Sequence, residues 1–368
     1  MSTALAKSGS AYRGHDNPRI RLMVVDDSMV ARAVLSRMIE ADDGFEIVAV
    51  AGTAEDAIVA LGQIRVDVIL LDLEMPGAGG LKSIPKILAA ARGAKVLIVS
   101  SLAEEGAEET VAALALGAAD TLPKPGTGRF NGSFSQVLLG KLRALGRADP
   151  IATTGAPTPA DQPAAGTLRA MNDGPVKLLA LGSSTGGIHA LASFFKELPP
   201  KIGAPILVTQ HLPEPFMAVF ARQLSVAAGR EALVAEDGLR LLPDRIIIAP
   251  GNASLTIEIS AGRLVARLLR QRSASGFLPS VDPMFASVGA MLGGEALGVV
   301  FSGMGRDGLA GATALVAAGG SVLAQDEASS AVWGMPRAVA EAGLACGILS
   351  PVRIARRIAH RIDGAACK

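Results

Sequence analysis

The sequence predicts an α/β protein of two parallel-sheet units: an N-terminal (βα)5 domain, a linker, and a doubly wound, mostly parallel sheet with an antiparallel hairpin insertion. Three observations carry this. The chain has 368 residues, long for one hydrophobic core. Half of the residues are hydrophobic but only 3% are aromatic, so the core must be built from Ala, Val, Leu and Ile, which suits buried parallel strands. Apolar strand-like runs alternate with helical patterns on both sides of a stretch that has no hydrophobic period.

The elements follow in order. Residues 1–18 contain "MSTALAKSGSAYRGHDNP", which has no apolar signal region and reads as a flexible leader. Over 19–146 the runs "IRLMVV" 20–25, "IVAVA" 47–51, "VDVILL" 66–71, "KVLIVS" 95–100 and "ADTLP" 119–123 alternate with helices, one presenting Val30, Val34 and Met38 and another over 54–62. Residues 147–175, rich in Pro, Ala, Thr and Gly, read as a linker. Over 176–368 the rhythm resumes with "VKLLALG" 176–182, "PILVTQ" 205–210, "RIIIAP" 245–250, "LGVVFSG" 297–303 and "GSVLAQ" 320–325. Between them "SLTIEISAGRLVARLL" 254–269 reads as a hairpin turning at Ala261-Gly262.

Composition narrows the function. Thirty-five Lys and Arg balance 34 Asp and Glu, leaving no basic surplus for nucleic acid. Cys346 and Cys367 lack metal-ligand or redox spacing, and only four histidines are present, which argues against a zinc site or disulfide framework. No run approaches the roughly 18 apolar residues of a membrane span, so the chain is expected to be cytoplasmic, without membrane insertion.

In doubly wound sheets chemistry gathers at the carboxyl ends of the strands. Asp26 and Asp27 end the first strand and Asp72 the third; Ser100 ends the fourth and Lys124 follows the fifth. A lone Asp at a strand end is usually a helix cap. Three carboxylates together call for a hard cation such as Mg²⁺, and a hydroxyl and an ammonium facing them suit a phosphoryl group on a carboxylate. Residues 20–125 resemble a response-regulator receiver domain. The resemblance implies that Asp72 accepts a phosphoryl group from a sensor histidine kinase, that Asp26, Asp27, Asp72 and the Glu74 backbone carbonyl hold Mg²⁺, and that Ser100 and Lys124 contact the phosphoryl oxygens. Thr121 stands where many receivers carry a switching Tyr or Phe.

In the second unit "LGSSTGG" 181–187 lies between a strand and a helix. It could cradle phosphate or hold out a nucleophilic serine, and Gly182-Ser183-Ser184-Thr185-Gly186 fits G-x-S-x-G. The phosphate readings lack their key residues: no Lys-Ser/Thr follows the loop, and the next strand ends in Gln210-His211 rather than an acidic residue. A nucleophile needs a base and a group to orient it. Of the histidines, His15 lies in the leader, His360 near the C-terminal end and His189 along the helix, so His211 at a strand end is the best base. Asp307, after "FSGMGR", is a helix cap in isolation but the third partner in combination. The Thr185 N–H, at a helix start, can stabilise an oxyanion.

The stretches "LGSSTGG", "VTQHLP" 208–213, "LPSVDPMFAS" 278–287, "SGMGRDG" 302–308 and "QDEASSAVWGMPRA" 325–338 together resemble the chemotaxis protein-glutamate methylesterase family. That resemblance implies hydrolysis of glutamate γ-methyl esters on chemoreceptor cytoplasmic helices, glutamine deamidation by the same machinery, a second oxyanion donor at Met304 N–H, and no cofactor for the esterase step. The architecture of receiver, linker and catalytic unit leads to the expectation that an unphosphorylated receiver covers Ser184 and that phosphorylation of Asp72 loosens it. Ser254 stands where relatives often carry a histidine lining the cleft. A serine hydrolase of another signalling array and a non-enzymatic receptor-binding regulator are the rival readings.

Overall fold

The structure, a computed structural model, describes residues 18–75, 79–100, 104–124, 132–147 and 168–366; most of the leader, the greater part of the linker and Cys367 lie outside them. In the N-terminal unit β1 (Ile20–Val25), α1 (Met29–Glu40), β2 (Phe45–Ala51), α2 (Ala54–Gln63), β3 (Val68–Leu71), α3 (Gly80–Ala90), β4 (Lys95–Ser100), α4 (Glu104–Ala115), β5 (Asp120–Pro123) and α5 (Gly132–Gly146) alternate. The strands form one parallel sheet in the order β2-β1-β3-β4-β5. Strands β3 and β4 are buried along their whole length, because helices cover both faces. Side chains set the helix starts: Ser28 accepts from Ala31 N, and Thr53 from Asp56 N.

One helical face differs from the sequence reading. On α1 the buried residues are Leu35 and Ile39, whereas Val34 and Met38 are half-buried and Val30 is 73% exposed. Two neighbouring i, i+4 ridges are apolar on this helix, and packing against the sheet selects between them.

The C-terminal unit contains β6 (Leu178–Ser183), α6 (Gly187–Glu197), β7 (Ile206–Gln210), α7 (Met217–Ala228), β8 (Ala232–Val234), β9 (Ile246–Ile248), β10 (Ser254–Ser260), β11 (Arg263–Leu269), α8 (Val281–Leu292), β12 (Ala296–Val300), α9 (Leu309–Ala317), β13 (Ser321–Gln325), α10 (Met335–Glu341), β14 (Ala345–Leu349) and α11 (Pro351–Ala366). Its parallel sheet has the order β14-β13-β12-β6-β7-β9-β8, and β10-β11 form a separate antiparallel pair. The hairpin turns where expected, with Ala261 and Gly262 both at positive φ, the geometry that matches the twist of two paired strands. The edge strands β8 and β14 carry no signal in the sequence reading: one has three residues and the other, "ACGIL", is broken by a glycine. From β6 the chain runs outward to β7 and later returns to β12 on the other side. The strand order therefore reverses at β6, and a crevice opens at the carboxyl ends of β7, β6 and β12.

Residues 168–175, the end of the stretch read as linker, are tied to this second unit. Arg169 N donates to Ala345 O at 3.0 Å, Asn172 N to Ser321 Oγ at 3.0 Å, and Arg361 Nη2 to Gly174 O at 2.9 Å.

The two units pack through α4, β5 and α5 of the first. Val111 and Leu114 of α4 share an apolar cluster with Ile188 and Phe216, and Met304, Ala331 and Val332 join the cluster containing Leu138 of α5. At the rim Arg222 Nη2 meets Glu108 Oε1 at 2.6 Å.

Lys95, at the amino end of β4, is 4% exposed, and its Nζ has no hydrogen-bond partner. Burial lowers its pKa to about 8 from 10.5. The unfolded chain thus holds more protons between these values, and folding pays a penalty below them that is relieved as pH rises. Lys95→Met is expected to raise stability at pH 7 by about 2 kcal/mol. In urea titrations the gain should shrink as pH passes from 8 to 10.5.

Candidate active site

At the end of β6 the chain turns through Ser183, Ser184, Thr185 and Gly186 into α6. Gly186 has φ +76°, and a Cβ there would lie 2.4 Å from Ala331 Cβ; one on Gly187 would lie 2.4 Å from Gln210 Oε1. The glycines of "STGG" thus answer to a tight turn and close packing, not to a phosphate. Ser183 is fully buried and donates to Gln210 Oε1 at 2.7 Å, while Gln210 Nε2 donates to Ser184 O at 2.9 Å and Ser184 N to Ser302 O at 3.0 Å. These bonds staple the turn to β7 and to the segment after β12. Ser183 is consumed by them, whereas Ser184 lines the small pocket that His211 also lines.

His211 follows β7 directly, with its N–H donating to Ser183 O. Its Nε2 lies 2.8 Å from Asp307 Oδ2, and its buried Nδ1 has no hydrogen-bond partner. The ring stacks on Phe277, with centroids 4.3 Å apart. Asp307 is fully buried, and four donors converge on its carboxylate. Oδ1 accepts from Ser275 Oγ (2.8 Å) and Ser280 Oγ (2.6 Å); Oδ2 accepts from Val281 N (2.7 Å) and faces His211. Burial by itself would raise the Asp307 pKa, but the hydrogen bond and charge of His211, with Ser280 and Val281 N, hold it well below the usual carboxylate range. Neighbouring Asp282 lacks such a set: burial first, and the charge of Asp307, push it up to about 6.

Ser184 and His211 line one small pocket but are not hydrogen-bonded to each other among the described residues. The N-terminal unit closes its mouth with Leu114, Ala118, Ala119 and Asp120, leaving about 10 Å³, no more than the room of one water. Gly186 N donates to Ala119 O at 2.6 Å and Thr185 Oγ1 to Asp120 Oδ2 at 2.5 Å. The N–H groups of Thr185 and Met304, named from sequence and resemblance, have no hydrogen-bond partner among the described residues. Exposed His189 is outside this group, its Nδ1 3.1 Å from Ala115 O; exposed His360 lies on α11, and His15 lies outside the described residues.

Sequence reasoning missed Phe277, Ser275, Ser280 and Gln210. Three of them lie on the irregular 270–280 loop, where no period exists to read; the only signal was the stretch "LPSVDPMFAS". Ser254 does not line a cleft. It is fully buried and its Oγ accepts from Ser280 N at 3.0 Å, holding the segment that carries Asp307's donor.

The second cluster lies in the N-terminal unit. Oxygens of Asp26, Asp27 and Asp72 fall within 4.8 Å of one another. Lys124 Nζ lies 2.7 Å from Asp72 Oδ2 and 3.1 Å from Asp26 Oδ2, yet no hydrogen bond is aimed at that buried Asp26 oxygen. An all-oxygen donor set with an unfilled buried carboxylate oxygen fits a hard divalent cation. Burial, only partly offset by Lys124, raises the Asp72 pKa. Burial opposes charge on Lys124 too, but the two carboxylates outweigh it and raise its pKa. Ser100 ends β4 as read, but its hydroxyl is turned to Thr110 Oγ1 on α4 at 2.6 Å. Thr121 is buried with an unpartnered hydroxyl.

A serine-bearing turn, a histidine and a buried carboxylate on one sheet edge, under a unit built like a receiver, are the parts of a hydrolase site in a two-unit α/β protein. Residues 22–129 match the response regulator receiver domain model and residues 179–358 the CheB methylesterase model. A protein-glutamate methylesterase/protein-glutamine glutaminase of Rhodopseudomonas palustris is 38% identical, with 99% of each chain covered. Another, from Azospirillum brasilense, is 41% identical over 90% of this chain and 89% of its own. The catalytic domain of Thermotoga maritima CheB methylesterase matches with 31% identity and a TM-score of 0.49, covering 50% of this chain and 98% of that one. The chain belongs to the CheB family of protein-glutamate methylesterases, with a response-regulator receiver domain at its N-terminal side.

Asp307→Asn keeps the shape but removes the charge on which four donors converge, and is expected to cost about 1–3 kcal/mol at pH 7 in urea unfolding. A carboxyl held low in the folded state contributes stability above its unfolded-state pKa and loses it on acidification. The cost should therefore shrink as pH falls below the ordinary carboxylate range.

Proposed function

We propose that this chain is a phosphorylation-activated serine hydrolase that demethylates glutamate γ-methyl esters on the cytoplasmic helices of chemoreceptors, and deamidates receptor glutamines, in chemotaxis adaptation. The observation that carries the reading is the Ser184, His211 and Asp307 group at the β6 switch point, closed over by the receiver. Ser184 Oγ attacks the ester carbonyl and His211 takes its proton, with Nδ1 the nitrogen left free by Asp307. Asp307 orients the imidazole. The N–H groups of Thr185 and Met304 receive the oxyanion. His211 then gives the proton to the departing methoxy oxygen, which leaves as methanol, or to the amide nitrogen of a glutamine, which leaves as ammonia, and water hydrolyses the acyl-enzyme.

Asp26, Asp27, Asp72 and the Glu74 carbonyl would hold Mg²⁺, which when bound would neutralise charge during phosphoryl transfer. Asp72 accepts the phosphoryl group from a sensor histidine kinase, and Lys124 and Ser100 contact its oxygens. Ser100 shares a hydrogen bond with Thr110, so a phosphoryl oxygen that recruits the Ser100 proton bears on the buried tie between β4 and α4, the helix that packs on the second unit. Organisation into a leader (1–18), receiver (19–146), linker (147–175, its end from 168 tied to the second unit) and catalytic unit (176–368) suits movement between the two units. Among the described residues no helix is long and apolar enough to cross a membrane, consistent with the cytoplasmic location we propose.

Methanol release from methylated receptor tests the reading. Wild type should release methanol faster with a small phosphodonor, and Ser184→Ala should lower the rate about 10⁴-fold or more. No release by the activated wild type overturns it. Asp72→Asn should keep the basal rate and abolish the response to phosphodonor; a retained response would move the phosphorylation site elsewhere.

A further inference from the structure

Resting on that hydrolase reading, we propose that Asp120 of the receiver is a product-mimicking plug, and that the Thr185 hydroxyl it occupies is the side chain that binds the glutamyl carboxyl group of the substrate. Asp120 is the one carboxylate among the described residues that lines the pocket of Ser184 and His211. Thr185, the residue after Ser184, donates its Oγ1 hydrogen to Asp120 Oδ2 at 2.5 Å. Hydrolysis of a glutamyl ester leaves a carboxylate beside Ser184. Asp120 presents the same group, one methylene shorter, from the start of β5.

The hydrogen-bond partners of Asp120 and Thr185 favour this over a chance contact. Asp120 needs nothing from the second unit. Its Oδ2 already receives Lys141 Nζ at 2.5 Å and its Oδ1 the Thr121 N–H at 2.8 Å, so within the receiver it is paired. Thr185 is the dependent partner. It is 5% exposed, and its hydroxyl gives its proton to no other described acceptor. When the units part, Asp120 keeps Lys141, while Thr185 is left with a free donor one residue from the nucleophile. An incoming glutamyl carboxyl oxygen is the acceptor the reaction brings there, and a hydrogen bond between hydroxyl and carboxyl fixes the side chain for attack. The plug and the substrate thus compete for one donor.

The test uses the full chain and two readouts. A fluorophosphonate reports access to Ser184 independently of any ester substrate, and methanol release gives kcat and KM on methylated receptor. Without phosphodonor, Asp120→Ala should label several-fold faster than wild type, approaching the activated wild-type rate, and the isosteric Asp120→Asn should fall between. Thr185→Val keeps the backbone N–H; it should label faster too, but after activation should raise KM about tenfold with a smaller change in kcat. Thr185→Ser should restore both values. Normal wild-type labelling that neither Asp120 variant alters overturns the plug, and a KM that Thr185→Val leaves unchanged overturns substrate binding by the Thr185 hydroxyl; either result leaves the hydrolase reading standing. No labelling of Ser184 in activated wild type overturns the hydrolase reading, and this one with it.

Discussion

A fully buried carboxylate in the C-terminal unit, Asp307, must have its oxygens filled by donors, and much of the local architecture follows from that need. An unpaired ion in such a place would neutralise itself or unfold its surroundings. Ser275 and Ser280 hydroxyls, the Val281 N–H and the His211 ring meet the requirement. The 270–280 loop is thereby drawn across the crevice, α8 begins where Val281 can donate, and the imidazole is held by one nitrogen with the other left free. Phe277 stacks on the ring and covers one of its faces. Even Ser254, fully buried, serves the same carboxylate by holding Ser280.

The receiver imposes its own constraint through the same physics. Its α4, β5 and α5 surface is apolar where it meets Ile188 and Met304, but between the apolar patches it supplies a carbonyl and a carboxylate to the turn beside Ser184. Burying that turn without acceptors would cost the free energy of unmade hydrogen bonds. Closure is therefore specific to this face in one register. The Ser100–Thr110 bond, buried between β4 and α4, connects the acidic pocket to the same helix.

Much was legible in the chain. Apolar runs of buried parallel strands, the Ala261-Gly262 turn and the strand-end residues Asp26, Asp72, Ser184 and His211 could be read because local rules govern them. Val30 shows where such rules stop: two adjacent ridges on α1 were both apolar, and only docking chose Leu35 and Ile39. Ser275, Phe277 and Ser280 escaped notice because an irregular loop has no period and its contacts are long-range.

The sequence by itself determined the two α/β units, their strand positions and the residue types at the strand ends, since these depend on periodicity and on turn chemistry within a few residues. Tertiary structure alone decided which imidazole nitrogen Asp307 takes, that Ser100 faces Thr110, and that Asp120 meets Thr185. Each of those is a choice among hydrogen-bond partners far apart in the chain, and burial, which makes an unmade bond costly, is what selects among them.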